Sequence, residues 1–300
     1  MGVAPPIDAH TLLGDWQVSI FPIAVAVGLI VIAVWYLVAV RRLAAKGRHW
    51  SGWRTLSFVS GLLAVELALG SSVAVLAGYT FTAHIAQHLL LMVIAPPLGA
   101  LGAPMTLALQ TSGRPTKRRL LKVLHSRPFQ VISHPVPVFF MYYLAMYAFF
   151  LSGALGYAMT HMWIMDLINL GFLAGATLFW WPMVGIDPIP HWNMNPGLKL
   201  LNLLIGVPVE SFLGVALLMK STPAAPMYTL ATTHMGGGVL WVATEIATVA
   251  ALAPIYGQWT RADARTARRI DARLAAGQTI EPPVFEGHGF SATLKALRRD

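Results

Sequence analysis

Apolar residues fill seven long stretches of this chain, and polar or proline-rich connections separate them. A helix rises about 1.5 Å per residue, so crossing the hydrocarbon core of a bilayer takes roughly 20 apolar residues. The seven stretches cover residues 18–40, 55–78, 84–109, 135–155, 161–184, 198–219 and 233–255. The pattern therefore predicts an all-α polytopic membrane protein whose fold is a bundle of seven transmembrane helices.

Basic residues mark one side of this predicted bundle. Of the 21 lysines and arginines, 20 fall in the first, third and fifth connections and after the seventh span, which leaves Lys220 on the other side. By the positive-inside rule, the basic side faces the cytoplasm. We therefore predict an outside N-terminal tail over residues 1–17, a membrane domain over residues 18–259 and a basic cytoplasmic C-terminal tail over residues 260–300.

The composition narrows the chemistry that the chain can perform. Charged residues make up 11% of it, against about 25% in a typical soluble domain. The net charge of +9 follows the membrane topology, so it indicates contact with the lipid bilayer and not with nucleic acid. Because the chain has no cysteine, a metal site has to use histidine, methionine, carboxylate or amide ligands. No phosphate-binding loop, Ser-His-Asp triad or zinc-protease pattern occurs, and we do not expect an enzyme.

The third stretch begins with a stripe of metal-binding side chains. His84, His88 and Met92 are spaced by four residues, which places them on one face of a helix. Two imidazoles one turn apart can bind one metal ion, and a nearby thioether favours a soft ion such as Cu(I). The alternative is that the histidines form interhelical hydrogen bonds and the methionine fills the core.

Two further helices begin on the same predicted outer side with similar residues. The fifth stretch opens with His161, Met162 and Met165, and the seventh opens with His234 and Met235. Together with the stripe in the third stretch, they predict a soft-metal site at the outer membrane surface, with copper as Cu(I) the expected metal. The alternative is ordinary packing of the methionines, with both of these histidines facing water.

Four carboxylic acids lie within the apolar stretches, where an isolated charge is costly. They are Glu66, Asp166, Glu210 and Glu245. The three glutamates, which lie in mid-span, are expected to be protonated or paired. Proton exchange, metal relay or docking of a partner helix would be functional roles, and interhelical hydrogen bonds would be the structural alternative.

Several motifs in this order resemble the CtaG-type family of bacterial membrane proteins that assemble haem-copper cytochrome c oxidase. The best-marked segment is HIAQHLLLMVIAPPLGALGAP over residues 84–104. The other matching segments are residues 134–135, 172–175, 179–182, 185–190, 236–241 and 258–259, with Glu245 between the last two. The resemblance covers roughly residues 16 to 275 and is strongest to the actinobacterial branch of the family.

The resemblance implies a multi-pass protein of the bacterial plasma membrane that helps copper reach the catalytic subunit of the oxidase. It makes His84 and His88 the leading ligands, with Met92 beside them, and an extracytoplasmic copper donor a further partner. This chain departs from the family pattern at Met165, Asn169 and Gly171, where many relatives have histidines. A metal transporter and a membrane b-type haem protein remain the alternative functions.

Overall fold

The computed structural model describes Gly14, residues 16–187 and residues 194–276, and within these ranges it contains helices and connections but no strand. Most of the predicted outside tail, the end of the 185–190 motif and the basic tail beyond residue 276 lie outside the described residues. The predicted domain bounds therefore stay predictions.

The α-helices are numbered in chain order within the described residues. They are α1 (Ile20–Ala45), α2 (Gly52–Leu69), α3 (Ser72–Ala77), α4 (Phe81–Leu89), α5 (Ala95–Leu101), α6 (Pro104–Thr111), α7 (Arg114–Leu124), α8 (Arg127–Ile132), α9 (Pro135–Leu151), α10 (Ala154–Thr160), α11 (Met162–Val184), α12 (Pro196–Leu218) and α13 (Leu230–Ala275). A π-helix, Leu90–Ile94, joins α4 to α5.

Six helical segments of the described chain are long and apolar enough to cross a membrane. They are α1, α2, the stretch Phe81–Thr111, α11, α12 and the first 43 residues of α13. The pair α9 and α10, bent by 74°, makes a seventh if it counts as one broken span. The all-α membrane class is therefore confirmed, with six to seven helices able to cross, and the side on which each terminus lies stays a prediction.

Two of the predicted spans are interrupted by short polar or glycine-containing breaks. The second divides after Leu69, and the Ser71 hydroxyl caps α3 by accepting a hydrogen bond from Val73 N at 3.2 Å. The fourth bends between α9 and α10, where the Ser152 hydroxyl accepts from Ala154 N at 3.1 Å. Serine side chains that bond nearby backbone groups compete with continuous helix in this way.

The third span changes its helix type beside a proline pair. Pro96 has no N–H to donate to the Met92 carbonyl one turn earlier, which a regular α-helix would require. The backbone widens into the π-helix instead, and Ala95 N donates to Leu90 O, five residues back. The freed Met92 carbonyl accepts a hydrogen bond from Trp180 Nε1 of α11 at 2.8 Å. A tryptophan on a neighbouring helix thus satisfies the carbonyl that the proline leaves unpaired.

Glycines allow two helix pairs to pack at backbone contact. A Cβ added to Gly61 of α2 would lie 2.9 Å from Gly99 N of α5, and one added to Gly237 of α13 would lie 2.9 Å from Gly214 O of α12. Any larger residue at these positions would push the helices apart. In the glycine run at the start of α13, Gly237 is therefore explained by packing against α12, whereas Gly236 packs against Phe81 of α4.

A buried carboxylate joins the connection after α11 to the start of α6. Asp187 Oδ2 accepts from Met105 N at 3.0 Å, and Oδ1 accepts from Thr106 N at 2.7 Å. Burial raises the pKa of Asp187, although these hydrogen bonds act in the opposite direction. The carboxylate satisfies two of the backbone donors that a helix N-terminus leaves unpaired.

The described residues from Tyr256 onward belong to a separate unit. Its described part is helical to Ala275, and the side chains from Arg261 to Arg268 are exposed.

Candidate metal centre

The two leading histidines lie side by side in the interior. His84 and His88 occupy consecutive turns of α4, and each side chain is only 2% exposed. Their Nε2 atoms are 3.0 Å apart. The Thr80 hydroxyl caps α4 by accepting from Ala83 N at 3.3 Å, which fixes the start of the helix one turn before His84. The predicted pairing of these histidines is therefore present in the structure.

This separation suits both a hydrogen bond and a shared metal ion. Without metal, one Nε2–H donates to the other Nε2 at an ordinary hydrogen-bond distance. If both Nε2 atoms bound one ion at about 2.0 Å, the length of imidazole bonds to zinc, the angle at the ion would be about 97°. Because that angle places both nitrogens on one side of the ion, further ligands would have to approach from the other side.

Aromatic rings enclose His88 and hold its orientation. The ring centroids of Phe149, Phe150 and Phe172 lie 5.5, 5.3 and 5.0 Å from that of His88. The Nδ1 atom of His88 is buried and has no hydrogen-bond partner among the described residues. A buried polar atom without a partner is uncommon in a folded protein and calls for an explanation.

The His84 ring lies beside the end of α3 and the connection before α13. It lies within hydrogen-bonding reach of the Ala77 backbone, and the Tyr228 hydroxyl donates to the same Ala77 carbonyl at 2.6 Å. Burial raises the pKa of Tyr228, so its hydroxyl stays protonated and remains a donor. Sequence reasoning missed Tyr228, because only the folded chain brings this connection beside α4.

A cavity of about 400 Å³ opens beside His84. Four methionines line it, namely Met159, Met162, Met165 and Met227. Polar side chains also reach it, including Gln87, Asp166 and Asn169. Most of its lining comes from the helix ends that the predicted topology places at the outer surface of the membrane. The structure therefore brings His84, Met162, Met165 and Asp166 together around one space.

Asn169 is the most informative residue that sequence reasoning left out of the site. Its side chain is 4% exposed and lines the cavity, yet its Oδ1 atom has no hydrogen-bond partner among the described residues. It lies one turn after Met165 on α11, and a polar residue at that spacing in an apolar helix was the signal available. Gln87 differs, since its Nε2 donates to Ala68 O at 2.8 Å.

Met92 does not line this cavity, although the sequence places it on the histidine stripe. It is 1% exposed and faces a second space of about 360 Å³ together with Tyr142, Phe149 and Phe172. His88, one turn earlier in α4, does not line the first cavity either, so His84 is the one residue of the stripe that borders it.

The other two histidines have hydrogen-bond partners away from the pair. His161 Nδ1 lies 3.0 Å from Tyr157 O and 2.9 Å from Thr160 Oγ1, and its ring stacks on Tyr157. His234 Nε2 lies 2.9 Å from Lys220 O. Neither residue lines the cavity, and neither does Met235, which is 63% exposed. Their roles as ligands stay predictions.

No group of three or more histidine, aspartate or glutamate side chains suited to hold a metal ion occurs in the described ranges. An ion at the His84–His88 pair would therefore depend on thioether or amide atoms to complete its coordination. Methionine sulfur and amide oxygen are the donor types that line the adjacent cavity.

The intramembrane glutamates form contacts elsewhere in the bundle. Ser211 donates to Glu245 Oε1 at 2.6 Å. Glu210, which is 8% exposed, faces Glu245 and bonds the Thr244 side chain. These bonds join α12 to α13, as the structural alternative predicts. Glu66 has a buried Oε2 atom without a partner among the described residues.

Comparison with known proteins agrees with the family resemblance described in the sequence analysis. The family described as cytochrome c oxidase caa3 assembly factor (Caa3_CtaG) matches residues 34–262. Uncharacterized proteins of Mycobacterium bovis and Mycobacterium tuberculosis are each 31% identical over 314 aligned positions, covering 98% of this chain and 46% of theirs. One of Mycobacterium leprae is 29% identical and covers 81% of this chain and 39% of its own. The chain thus spans less than half the length of these relatives, and no solved structure matches it.

Proposed function

Because the chain belongs to the Caa3_CtaG family of cytochrome c oxidase assembly factors, we propose that it binds Cu(I) at His84 and His88 and passes the ion to the oxidase. In this proposal copper is cargo. The protein lies in the bacterial plasma membrane, takes Cu(I) on the outer side from an extracytoplasmic donor, and docks the catalytic subunit of the oxidase within the bilayer.

The observation that carries the proposal is the buried pair of Nε2 atoms 3.0 Å apart beside a methionine-lined cavity. Neutral imidazole and thioether are soft, uncharged donors, which suit Cu(I) better than Mg²⁺ or Ca²⁺. They also suit a carrier, because metal affinity falls when no anionic thiolate contributes and the ion can then leave for a tighter site.

Copper binding by the purified full chain tests the proposal. We expect it to retain Cu(I) against a competing chelator, and the His84→Ala/His88→Ala variant to lose that retention. His125→Ala is the matched control, because His125 is an exposed histidine at the end of α7 and far along the chain from the pair. Equal copper retention by the wild type and the double variant would refute the proposed site.

Oxidase maturation provides the second test. A strain that carries only the double variant should assemble oxidase with less copper and less activity than one that carries His125→Ala. Normal oxidase in both strains would contradict a role for the pair in copper delivery.

The same preparations separate the two other functions that the sequence left open. A metal transporter would move copper into sealed proteoliposomes, whereas a carrier would bind it without uptake. A membrane haem protein would show a Soret absorption band after purification.

A further inference from the structure

The cavity beside His84 has features that a simple packing defect would not have. Its four methionines come from two separate parts of the chain, three around the α10–α11 junction and one from the connection before α13. Methionine commonly fills gaps in apolar cores. Here, however, Met162 is 69% exposed and Met227 is 50% exposed, so these two thioethers border the cavity without being part of a core.

The methionines differ in exposure in an ordered way. Met162 and Met227 are exposed, Met159 and Met165 are partly buried, and His84 is 2% exposed. All five residues line the same space. The cavity therefore extends from exposed thioethers to the buried His84, whose Nε2 lies 3.0 Å from that of His88.

A second and independent feature indicates that the cavity accepts a cation. Asn169 Oδ1 is an acceptor without a partner among the described residues, on a side chain that is 96% buried and lines the cavity. The Asp166 carboxyl group lines the same space. A carbonyl-type oxygen and a carboxylate beside thioethers make the space favourable for a positive ion that carries little hydration.

We propose that this methionine-lined cavity is the entrance through which Cu(I) reaches the His84–His88 pair. The inference rests on the proposed function and adds the route and its selectivity. Cu(I) leaves its donor for the exposed thioethers of Met162 and Met227, passes to Met159 and Met165, and ends on the imidazoles. Each step is a ligand exchange in which one neutral donor atom replaces another on the ion. Copper therefore stays Cu(I), and no electron or proton is transferred among the methionines.

The entrance should control how fast copper arrives more than how tightly it is finally held. Met159→Leu/Met162→Leu/Met227→Leu keeps the volume of the side chains and removes three sulfur atoms, and leucine for methionine is a well-tolerated exchange. We expect the rate of Cu(I) transfer from a chelator complex to fall by about one decade, within the range over which association rates vary among related variants. The final copper content should stay at the wild-type value, because Met165, which lines the cavity with His84, is retained as the thioether ligand of the final site.

Met219→Leu is the matched control, because Met219 is a 79% exposed methionine that does not line the cavity. Wild-type loading rates in the triple variant would overturn the entrance while leaving the histidine site intact. Loss of final copper content in the triple variant would also overturn it, because the thioethers would then be ligands of the final site. Failure of the wild type to bind copper at all would instead refute the proposed function.

The absence of cysteine allows a test that does not depend on how the leucine variant folds. A single Met162→Cys variant can be purified, assayed and then blocked with a bulky maleimide. Copper loading should slow after the label is attached, whereas labelling of Met219→Cys should leave the rate unchanged. Equal loading by both labelled proteins would overturn the proposed route.

Discussion

The His84–His88 pair and the contact between Asp187 and the start of α6, which we call the Asp187 junction, are both buried. They differ in how many of their polar atoms have hydrogen-bond partners. At the junction, both carboxylate oxygens of Asp187 accept backbone hydrogen bonds at the start of α6. Around the pair, His88 Nδ1 and Asn169 Oδ1 have no partner among the described residues, and His84 and Asn169 line one cavity. Fully satisfied burial is typical of structural contacts, so we interpret the junction as structural and the pair as the binding site.

The largest expected effect is on copper affinity at the pair. His88→Ala should weaken Cu(I) binding by at least about 100-fold. Mutating a residue that only orients a metal ligand already lowers metal affinity by up to about 100-fold, and removing the ligand itself should lower it at least as much. This corresponds to about 2.7 kcal/mol. Chelator competition measures it, with His49→Ala, an exposed histidine in the first connection, as the control. A change below tenfold would place the ion elsewhere.

Loss of the Trp180 hydrogen bond should affect stability more than copper binding. Trp180→Phe leaves the Met92 carbonyl unpaired in the interior, and we expect the free energy of unfolding to fall by about 1–3 kcal/mol. Unfolding in mixed micelles measures it. Trp163→Phe is the control, since Trp163 is 68% exposed. Equal stability of the two variants would show that the bond to Met92 contributes little.

Loss of the Asp187 junction should also lower stability more than copper binding, but by less than Trp180→Phe does. Asp187→Ala removes both hydrogen bonds to α6, and the expected loss of stability is about 1–2 kcal/mol, the cost of a lost helix cap. Copper affinity should not change. Asp263→Ala, at an exposed position on α13, is the control for the unfolding measurement. A large loss of copper affinity in Asp187→Ala would erase the distinction between the two regions.

The smallest effect is expected at His234. Its ring contacts Lys220 O and does not line the cavity, so His234→Ala should change copper affinity by no more than about twofold, as for sites that do not interact. Chelator competition with the His88→Ala protein in parallel measures this. A loss as large as that of His88→Ala would restore the three-helix site that the sequence predicts.

Much of the fold follows from the sequence, because the bilayer fixes the length of apolar segments. The stretches at 18–40, 161–184 and 198–219 correspond closely to α1, α11 and α12. The breaks were harder to predict. Pro96 removes the usual hydrogen bond to the Met92 carbonyl, but the π-helix also needs a new donor for that carbonyl, and Trp180 supplies it from another helix. The bend between α9 and α10 depends on how Ser152 bonds its neighbours. The lengths of the apolar stretches do not indicate the π-helix or the bend.

The candidate site was predictable only where local spacing determines it. His84 and His88 are one turn apart in sequence, and one turn of α-helix brings them together whatever surrounds them. The approach of Met227 and Tyr228 to α4 depends instead on the folded path of the connection before α13. The same dependence explains why His234 could not be placed, since its contact with Lys220 O is also set by that connection.

X-ray absorption of the Cu(I)-loaded full chain tests the central claim most directly, because it reports the atoms bound to copper. We predict nitrogen and sulfur neighbours in the wild type, with the nitrogen contribution lost in His84→Ala/His88→Ala. A spectrum that is the same in both proteins would contradict copper binding by the histidine pair.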